Sequence, residues 1–347
     1  MMPNHDRLVV GGVDTHKDQH VAAVVDTAGR LLDVAAFAAT PAGYVELRLW
    51  MTGFGELAAV GVEGCGSYGL GLAREFNAAS IKVHEVCRPN RQLRRRRGKS
   101  DAVDAEAAAR AALSGEGLVT PKSADGPVEV LRALRLTRRS AIKARDTATN
   151  QLHALIITAP DETRQRLGDL PIRRVVESIL AANSETVGGY GLAMTSLARR
   201  WQQLDVEAAA LKTELERVVR EAAPAGLLDE QGVGSDVAAA LMIAAGDNPQ
   251  RLRSEASFAA LCGVSPLDAS SGKQQRHRLN RGGNRDANMA LWRVVLVRLR
   301  WDPATRAYVD RRISEGKTRR EAMRCLKRYI ARDLYKILTA EVPQIGT

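Results

Sequence analysis

Short apolar runs bounded by glycine open the chain. Leu8-Val9-Val10-Gly11-Gly12-Val13 is closed by Asp14, and Ala58-Ala59-Val60-Gly61-Val62 is closed by Glu63. Continuous apolar runs of this length suit strands buried within a sheet. Two further strands, 20–26 and 31–37, are joined by Thr27-Ala28-Gly29-Arg30, so the first three strands form an antiparallel meander. A helix near 41–53 precedes the strand that ends at Glu63. A helix at about 67–78 leads to a fifth strand at 81–86, and an alanine-rich helix at 101–114 closes the unit.

Beyond that point the period becomes helical. Long helices are expected at 127–158 and about 193–223, separated by Gly188-Gly189-Tyr190-Gly191. In the second, Leu197, Trp201, Leu204, Ala208, Leu211, Leu215 and Val218 approximate a heptad seam. Such a seam serves either an intramolecular hairpin or an oligomer contact. After Pro224, Gln231-Gly232-Val233-Gly234 introduces an apolar helix at 235–245, resembling half of a helix-hairpin-helix, in which Gly232 and Gly234 expose amides to phosphates; any tight helix start could use the same glycines. The fold class is therefore α/β plus all-α. Three antiparallel strands followed by β-α units give the ribonuclease H-like order, with the first strand's aspartate central. The expected division is 1–120 for this domain, 121–225 for a helical, coiled-coil-like connector and 226–347 for a basic C-terminal domain.

A chain of 347 residues suits two or three domains, and with 45% hydrophobic but only 4% aromatic content, aliphatic side chains carry the packing. No apolar run is long enough for a membrane span, and the polar start does not resemble a signal peptide. Four scattered cysteines without a Cys-x-x-Cys pair argue against a zinc site or a disulfide framework and for a reducing, cytoplasmic compartment. The net charge of +11 is uneven. Residues 273–336 hold 19 Lys+Arg against 6 Asp+Glu, a surplus of 13 that leaves about −2 for everything else. A surplus so concentrated is a nucleic-acid footprint, with a solvated basic helix face as the alternative.

The chemistry lies in four carboxylates. Asp14 and Glu63 end neighbouring strands, while Asp101 and Asp104 open a helix; converging on one point, they would repel unless a divalent cation neutralised them. Hard oxygen ligands select Mg²⁺ or Mn²⁺, and such metals drive in-line displacement at phosphorus. Each carboxylate has a plainer use: Asp14 in an Asx-turn, Glu63 as a solvated strand end, Asp101 as a helix N-cap with Asp104 at its third position. His16 and His20 are four apart but flank a strand rather than share a helix face, and are read as non-ligands. Just before Asp101, a basic stretch with Arg94, Arg95, Arg96, Arg97 and Lys99 is placed to grip a nucleic-acid backbone. Downstream, Ser270-Ser271-Gly272-Lys273 is followed by Arg276, Arg278, Arg281 and Arg285. A serine among guanidinium groups could be a nucleophile, and Ser-Ser-Gly is equally ordinary loop chemistry.

Taken together, Gly12-Val13-Asp14-Thr15-His16-Lys17, Glu63-Gly64-Cys65-Gly66-Ser67, Lys99-Ser100-Asp101-Ala102-Val103-Asp104, Gly263-Val264-Ser265-Pro266, Ser270-Ser271-Gly272 and Gly282-Gly283-Asn284 resemble the DEDD transposases of the IS110 insertion-sequence family, relatives of the Piv-type DNA invertases. The resemblance covers nearly the whole chain, the middle helices matching in character rather than by motif. It implies a RuvC-like nuclease domain, a helical connector and a compact transposase domain. It also implies that Asp14, Glu63, Asp101 and Asp104 bind divalent metal and that Ser271 attacks a DNA phosphate. As partners it implies target and donor DNA, a bridge RNA, and further copies of the chain, one protomer's carboxylates meeting another's serine. One departure is His277-Arg278-Leu279-Asn280-Arg281-Gly282, where relatives more often show isoleucine followed by lysine or arginine before the glycine. A Piv-type invertase, a RuvC-like junction nuclease and a non-catalytic nucleic-acid-binding descendant are the competing functions.

Overall fold

The structure is a computed structural model, described here for residues 7–86, 100–115, 118–182, 188–269 and 277–340. These residues form seven strands and twelve α-helices in two compact units, Met1–Ala124 and Asp125–Thr347. The segments holding Arg94 to Arg97 and Lys99, and Ser270 to Arg276, lie outside the described residues.

The first unit is mixed α/β. Strands β1 (Leu8–Thr15), β2 (Gln19–Asp26) and β3 (Leu31–Ala38) are followed by α1 (Pro41–Thr52), β4 (Glu56–Val62), α2 (Leu70–Ala78), β5 (Val83–Glu85) and α3 (Asp101–Ser114). The sheet order is β3-β2-β1-β4-β5. β1 and β2 pair antiparallel, as do β2 and β3, while β1, β4 and β5 run parallel. β1 is thus central, as the strand pattern implied. The expected strand at 81–86 shortens to three residues, and the expected helix at 67–78 begins only at Leu70, after a glycine-rich turn.

Both faces of the sheet are covered, which explains why β1 and β4 carry no polar alternation. Val9, Val13, Val60 and Val62 pack with Leu47, Met51, Leu72 and Phe76 of α1 and α2. The opposite face gives Val10 and Val25 to Ala109 and Ala112 of α3. Two glycines set the height of that helix. A Cβ on Gly12 would stand 2.1 Å from the Ala109 nitrogen and 2.2 Å from the Ala105 oxygen; one on Gly61 would stand 2.4 Å from the Ala108 oxygen. Glycine below and alanine above let the α3 backbone rest directly on the sheet.

The second unit is helical. α4 (Pro127–Thr158) and α7 (Gly188–Ala222) lie side by side, with short helices α5 (Asp161–Leu167) and α6 (Ile172–Ala181) between them in sequence. The heptad seam packs within the chain: Trp201 shares a core with Leu152 and Ile156, and Leu215 and Val218 share one with Leu131. The Trp201 indole donates to Thr149 Oγ1 at 2.9 Å, and Asp205 accepts from Arg145 at 2.8 Å and Arg173 at 2.9 Å. The expected glycine break at 188–191 is instead the first turn of α7. Glycine costs least at a helix end, and Tyr190 anchors that turn by its hydroxyl to Leu155 O. Neither α5 nor α6 is among the expected elements; α6 buries the stripe Val175, Val176 and Ile179.

α8 (Ser235–Ala245) is buried through almost its whole length, with Val237 to Met242, Ala244 and Ala245 inside the core. Around it lie α9 (Glu255–Leu261), the two-strand ribbon β6 (Leu267–Asp268) and β7 (His277–Arg278), α10 (Arg285–Trp301), α11 (Pro303–Ser314) and α12 (Arg319–Thr339). No helix of the described residues is long and apolar enough to cross a membrane.

Candidate metal centre and serine-bearing region

Strand alternation sorts β1 into two rows. Val9, Gly11 and Val13 face α1 and α2, whereas Val10, Gly12 and Asp14 face α3. Asp14 is therefore aimed at the start of the helix that Gly12 admits. β4 repeats the arrangement. Gly12 and Val13 stand opposite Gly61 and Val62, and the Glu63 amide donates to Val13 O at 3.0 Å. Glu63 lies just past the end of β4, held beside β1 by that backbone bond, and its carboxylate is not part of the ligand-atom group of Asp14, His16 and Asp101. Gly64 then turns the chain away at φ +73°.

The helix supplies the other two carboxylates. Ser100, not Asp101, is its N-cap, with Ser100 Oγ accepting from the Val103 amide at 3.4 Å. The capping use considered for Asp101 is thus filled by its neighbour, and Asp101 is half exposed in the first turn. Asp104, one turn on, is 3% exposed. A buried aspartate on an alanine helix is an expensive choice for packing alone.

His16 belongs to this group, contrary to its reading as a bystander. Its Nε2 lies 3.2 Å from Asp14 Oδ2 and 3.5 Å from Asp101 Oδ1. One ligand atom from each of Asp14, His16 and Asp101 falls within 4.8 Å of the others. The sequence signal was present: β1 runs on to Thr15, so His16 follows the alternation of Gly12 and Asp14. Spacing from His20 was the wrong guide. His20 is fully buried on the other face, stacked on Tyr44 at 5.5 Å between centroids.

Electrostatics match this crowding. The pKa of the Asp14 carboxyl is raised from its ordinary value, chiefly by burial; His16 opposes the shift, while Asp104 and Asp101 add to it. A divalent cation fits such a site: it replaces lost hydration and offsets mutual repulsion, and the donor set of carboxylate oxygens and one imidazole nitrogen suits it.

In the second unit, Gly232 adopts φ +90°, and a Cβ added there would stand 3.2 Å from the Val294 Cα. Gly234 is the N-cap of α8 with open space where a Cβ would sit, and in the first turn Asp236 pairs with Arg138 at 2.8 Å. The serine-motif flanks are better organised. Asn284 caps α10 and donates its amide to Leu261 O, and Gly283 rests on the Gly263 backbone so closely that a Cβ would stand 2.2 Å from the Gly263 nitrogen. Asn288 Nδ2 donates to Cys262 O at 2.9 Å and Gly263 O at 3.1 Å. β6 pairs with β7 at Leu267–Arg278 and Asp268–His277, so the chain on either side of 270–276 is drawn together. Arg278, Arg281 and Arg285 are exposed beside it; Ser271, Lys273 and Arg276 lie outside the described residues.

Comparison with known proteins agrees with both regions. Residues 11–158 match the DEDD transposase family of IS110 type, and residues 226–310 match the family described as Transposase IS116/IS110/IS902 family. The chain is 29% identical over 175 residues to the uncharacterized 43.6 kDa protein of insertion element IS110 from Streptomyces coelicolor, covering 48% of this chain and 43% of that one. It is 31% identical over 163 residues to the uncharacterized 42 kDa protein of insertion element IS900 from Mycobacterium paratuberculosis, covering 44% and 40%. The aligned stretch thus spans less than half the length of either relative. With both family regions present in order, the first containing the carboxylate cluster and the second the serine motif, the chain belongs to the IS110 family of insertion-sequence transposases.

Proposed function

We propose that this chain cuts and rejoins DNA at the ends of an insertion sequence, by metal-dependent phosphoryl transfer through a phosphoserine intermediate. The observation that carries this reading is the convergence of Asp14, His16 and Asp101, with Asp104 buried one turn away and Glu63 just past the end of the adjoining strand. The order β3-β2-β1-β4-β5, with Asp14 on the central strand, supports a ribonuclease H-like, RuvC-like domain.

Asp14, Glu63, Asp101 and Asp104 would hold the cation, Mg²⁺ or Mn²⁺, with His16 as a further ligand or as the group orienting Asp14. A bound divalent cation supplies charge stabilisation at the attacked phosphate and the departing oxygen. Ser271 Oγ forms a bond to phosphorus as the bond to a sugar oxygen breaks; the serine proton leaves and the sugar oxygen is protonated. A sugar hydroxyl from the partner strand then reverses the exchange, so no net hydrolysis occurs and the bond energy is kept. Arg278, Arg281 and Arg285, with Lys273 and Arg276, would neutralise the phosphates around that serine. Arg94 to Arg97 and Lys99 would grip the strand near the metal.

We assign residues 1–120 to the catalytic domain, 121–225 to a connector and 226–347 to the transposase domain. DNA ends, a structured bridge RNA and further copies of the chain are the proposed partners. Relatives encoded by insertion elements favour transposition over inversion or junction resolution. A recombination assay with the native element ends, with and without the flanking transcript, tests the proposal: transcript-dependent joined product supports it, and hydrolysed ends without joining would point to a junction nuclease.

A further inference from the structure

A cavity of about 650 Å³ lies between the Gly263–Pro266 turn, the end of β7 at Arg278 to Asn280, and α12. Its wall is rich in cations: Lys317, Arg324, Lys327, Arg328 and Arg278. Lys327 is the unusual member. It is only 8% exposed, yet its Nζ has one described hydrogen bond, to Asn288 Oδ1 at 2.8 Å, and no carboxylate lies within ion-pair distance among the described residues. Glu321 also lines the cavity, but its carboxylate is already engaged in capping α12, accepting from the Thr318 amide and hydroxyl at 2.8 Å each. Among the described residues, the hydrogen-bond partner of Arg328 is neutral: Ser265 Oγ, at 3.1 Å.

A buried ammonium paired with an amide rather than an acid leaves two donors without a partner among the described residues, and a desolvation cost that an anion would offset. Burial, with Arg324 nearby, also lowers its pKa. Asn288 fixes the ammonium in place while holding the Gly263 turn, so cation and turn form one rigid wall. An anion small enough to enter the cavity would complete this arrangement.

We propose that this cavity is a phosphodiester-binding pocket, with Lys327 as its central ligand and Lys317, Arg324 and Arg328 around it, seating one backbone phosphate of the nucleic acid beside the serine-bearing segment. The identification of the anion rests on the transposase reading; the pocket itself rests on the described side chains.

The test uses the full chain, with metal chelated so that no chemistry intervenes, and single-stranded DNA and RNA oligonucleotides of one sequence as probes. Affinity is measured as a function of salt for wild type, Lys327→Met and Lys327→Arg. Loss of one charge-assisted phosphate contact predicts at least about a tenfold weaker affinity for Lys327→Met. The slope of log affinity against log salt should shrink by roughly 0.7, the share of one phosphate on a single strand. Lys327→Arg should restore much of both, and melting temperature should be unchanged or higher in Lys327→Met, since a buried charge is removed. Arg324→Gln, at an exposed position, should show a smaller loss of the same kind. A loss confined to one probe identifies that nucleic acid as the occupant. Unchanged affinity and slope in Lys327→Met and Arg324→Gln would overturn the pocket even if recombination proceeds. A Lys327-dependent slope in a protein that never recombines would uphold the pocket and count against the transposase reading.

Discussion

The imidazole of His16 stands 3.2 Å from the carboxylate of Asp14, two residues back along the α3-facing row of β1, and 3.5 Å from Asp101 across the gap to α3. One side chain therefore bridges the strand and helix halves of the cluster. If His16 helps to hold a cation, His16→Ala should weaken Mn²⁺ binding by calorimetry. Loss of even an outer partner commonly costs about 10–100-fold in metal affinity, so a change under threefold would remove His16 from the centre. His20→Ala, on the other face, should disturb folding and leave intrinsic metal affinity alone.

Without metal, the cluster should be a stability burden with a defined pH dependence. The fold raises the Asp14 pKa, mainly by burial. Its charged form therefore costs stability, fully above the folded pKa and not at all below the ordinary aspartate value near 3.8. Asp14→Asn in chelator should melt higher than wild type at neutral pH, and the difference should vanish as pH falls through the acidic range. Adding Mn²⁺ should reverse the ranking. A wild type that melts higher than the variant in chelator would mean that Asp14 has an unseen stabilising partner.

The glycine rows make a packing prediction. Gly12→Ala places a methyl carbon where Ala105 and Ala109 backbone atoms already sit, and overpacking of this kind costs roughly 1–3 kcal/mol, here at the upper end or beyond. Urea denaturation should show that loss, and Mn²⁺ affinity should fall with it, since α3 carries Asp101 and Asp104. Retained stability would mean that α3 does not rest on the sheet.

Asp101→Asn should leave α3 intact, because Ser100 already caps it. Helical circular dichroism should be unchanged while strand cleavage is lost. Cleavage at the wild-type rate would make Asp101 a surface residue only.

Much of this was legible in the sequence, for identifiable reasons. Apolar runs closed by Asp14 and Glu63 marked strands covered on both faces, and the alanine period of 101–114 marked α3 to the residue. His16 escapes a reading that ends β1 at Asp14: the strand runs on to Thr15, and His16, just past its end, comes beside Asp14. The first turn of α7 was missed because Gly188 and Gly189 look like a break, and the tether that holds it, Tyr190 to Leu155, crosses between helices. Lys327 was one charge among nineteen in its region; its burial is a property of the packed α10 and α12, with no local signature.

The central claim, that the carboxylate cluster and Ser271 act together on DNA, is tested most directly by trapping the intermediate. Wild-type chain, divalent metal, native element ends and the flanking transcript should yield a protein–DNA adduct that survives denaturation, and digestion should release a phosphorylated peptide containing Ser271. Ser271→Ala and Asp14→Ala should each form no adduct. Mixing the two variants should restore some, if an intact cluster in one protomer serves an intact serine in another. An adduct that persists in Ser271→Ala would contradict the account, and Ser270 would become the residue to examine.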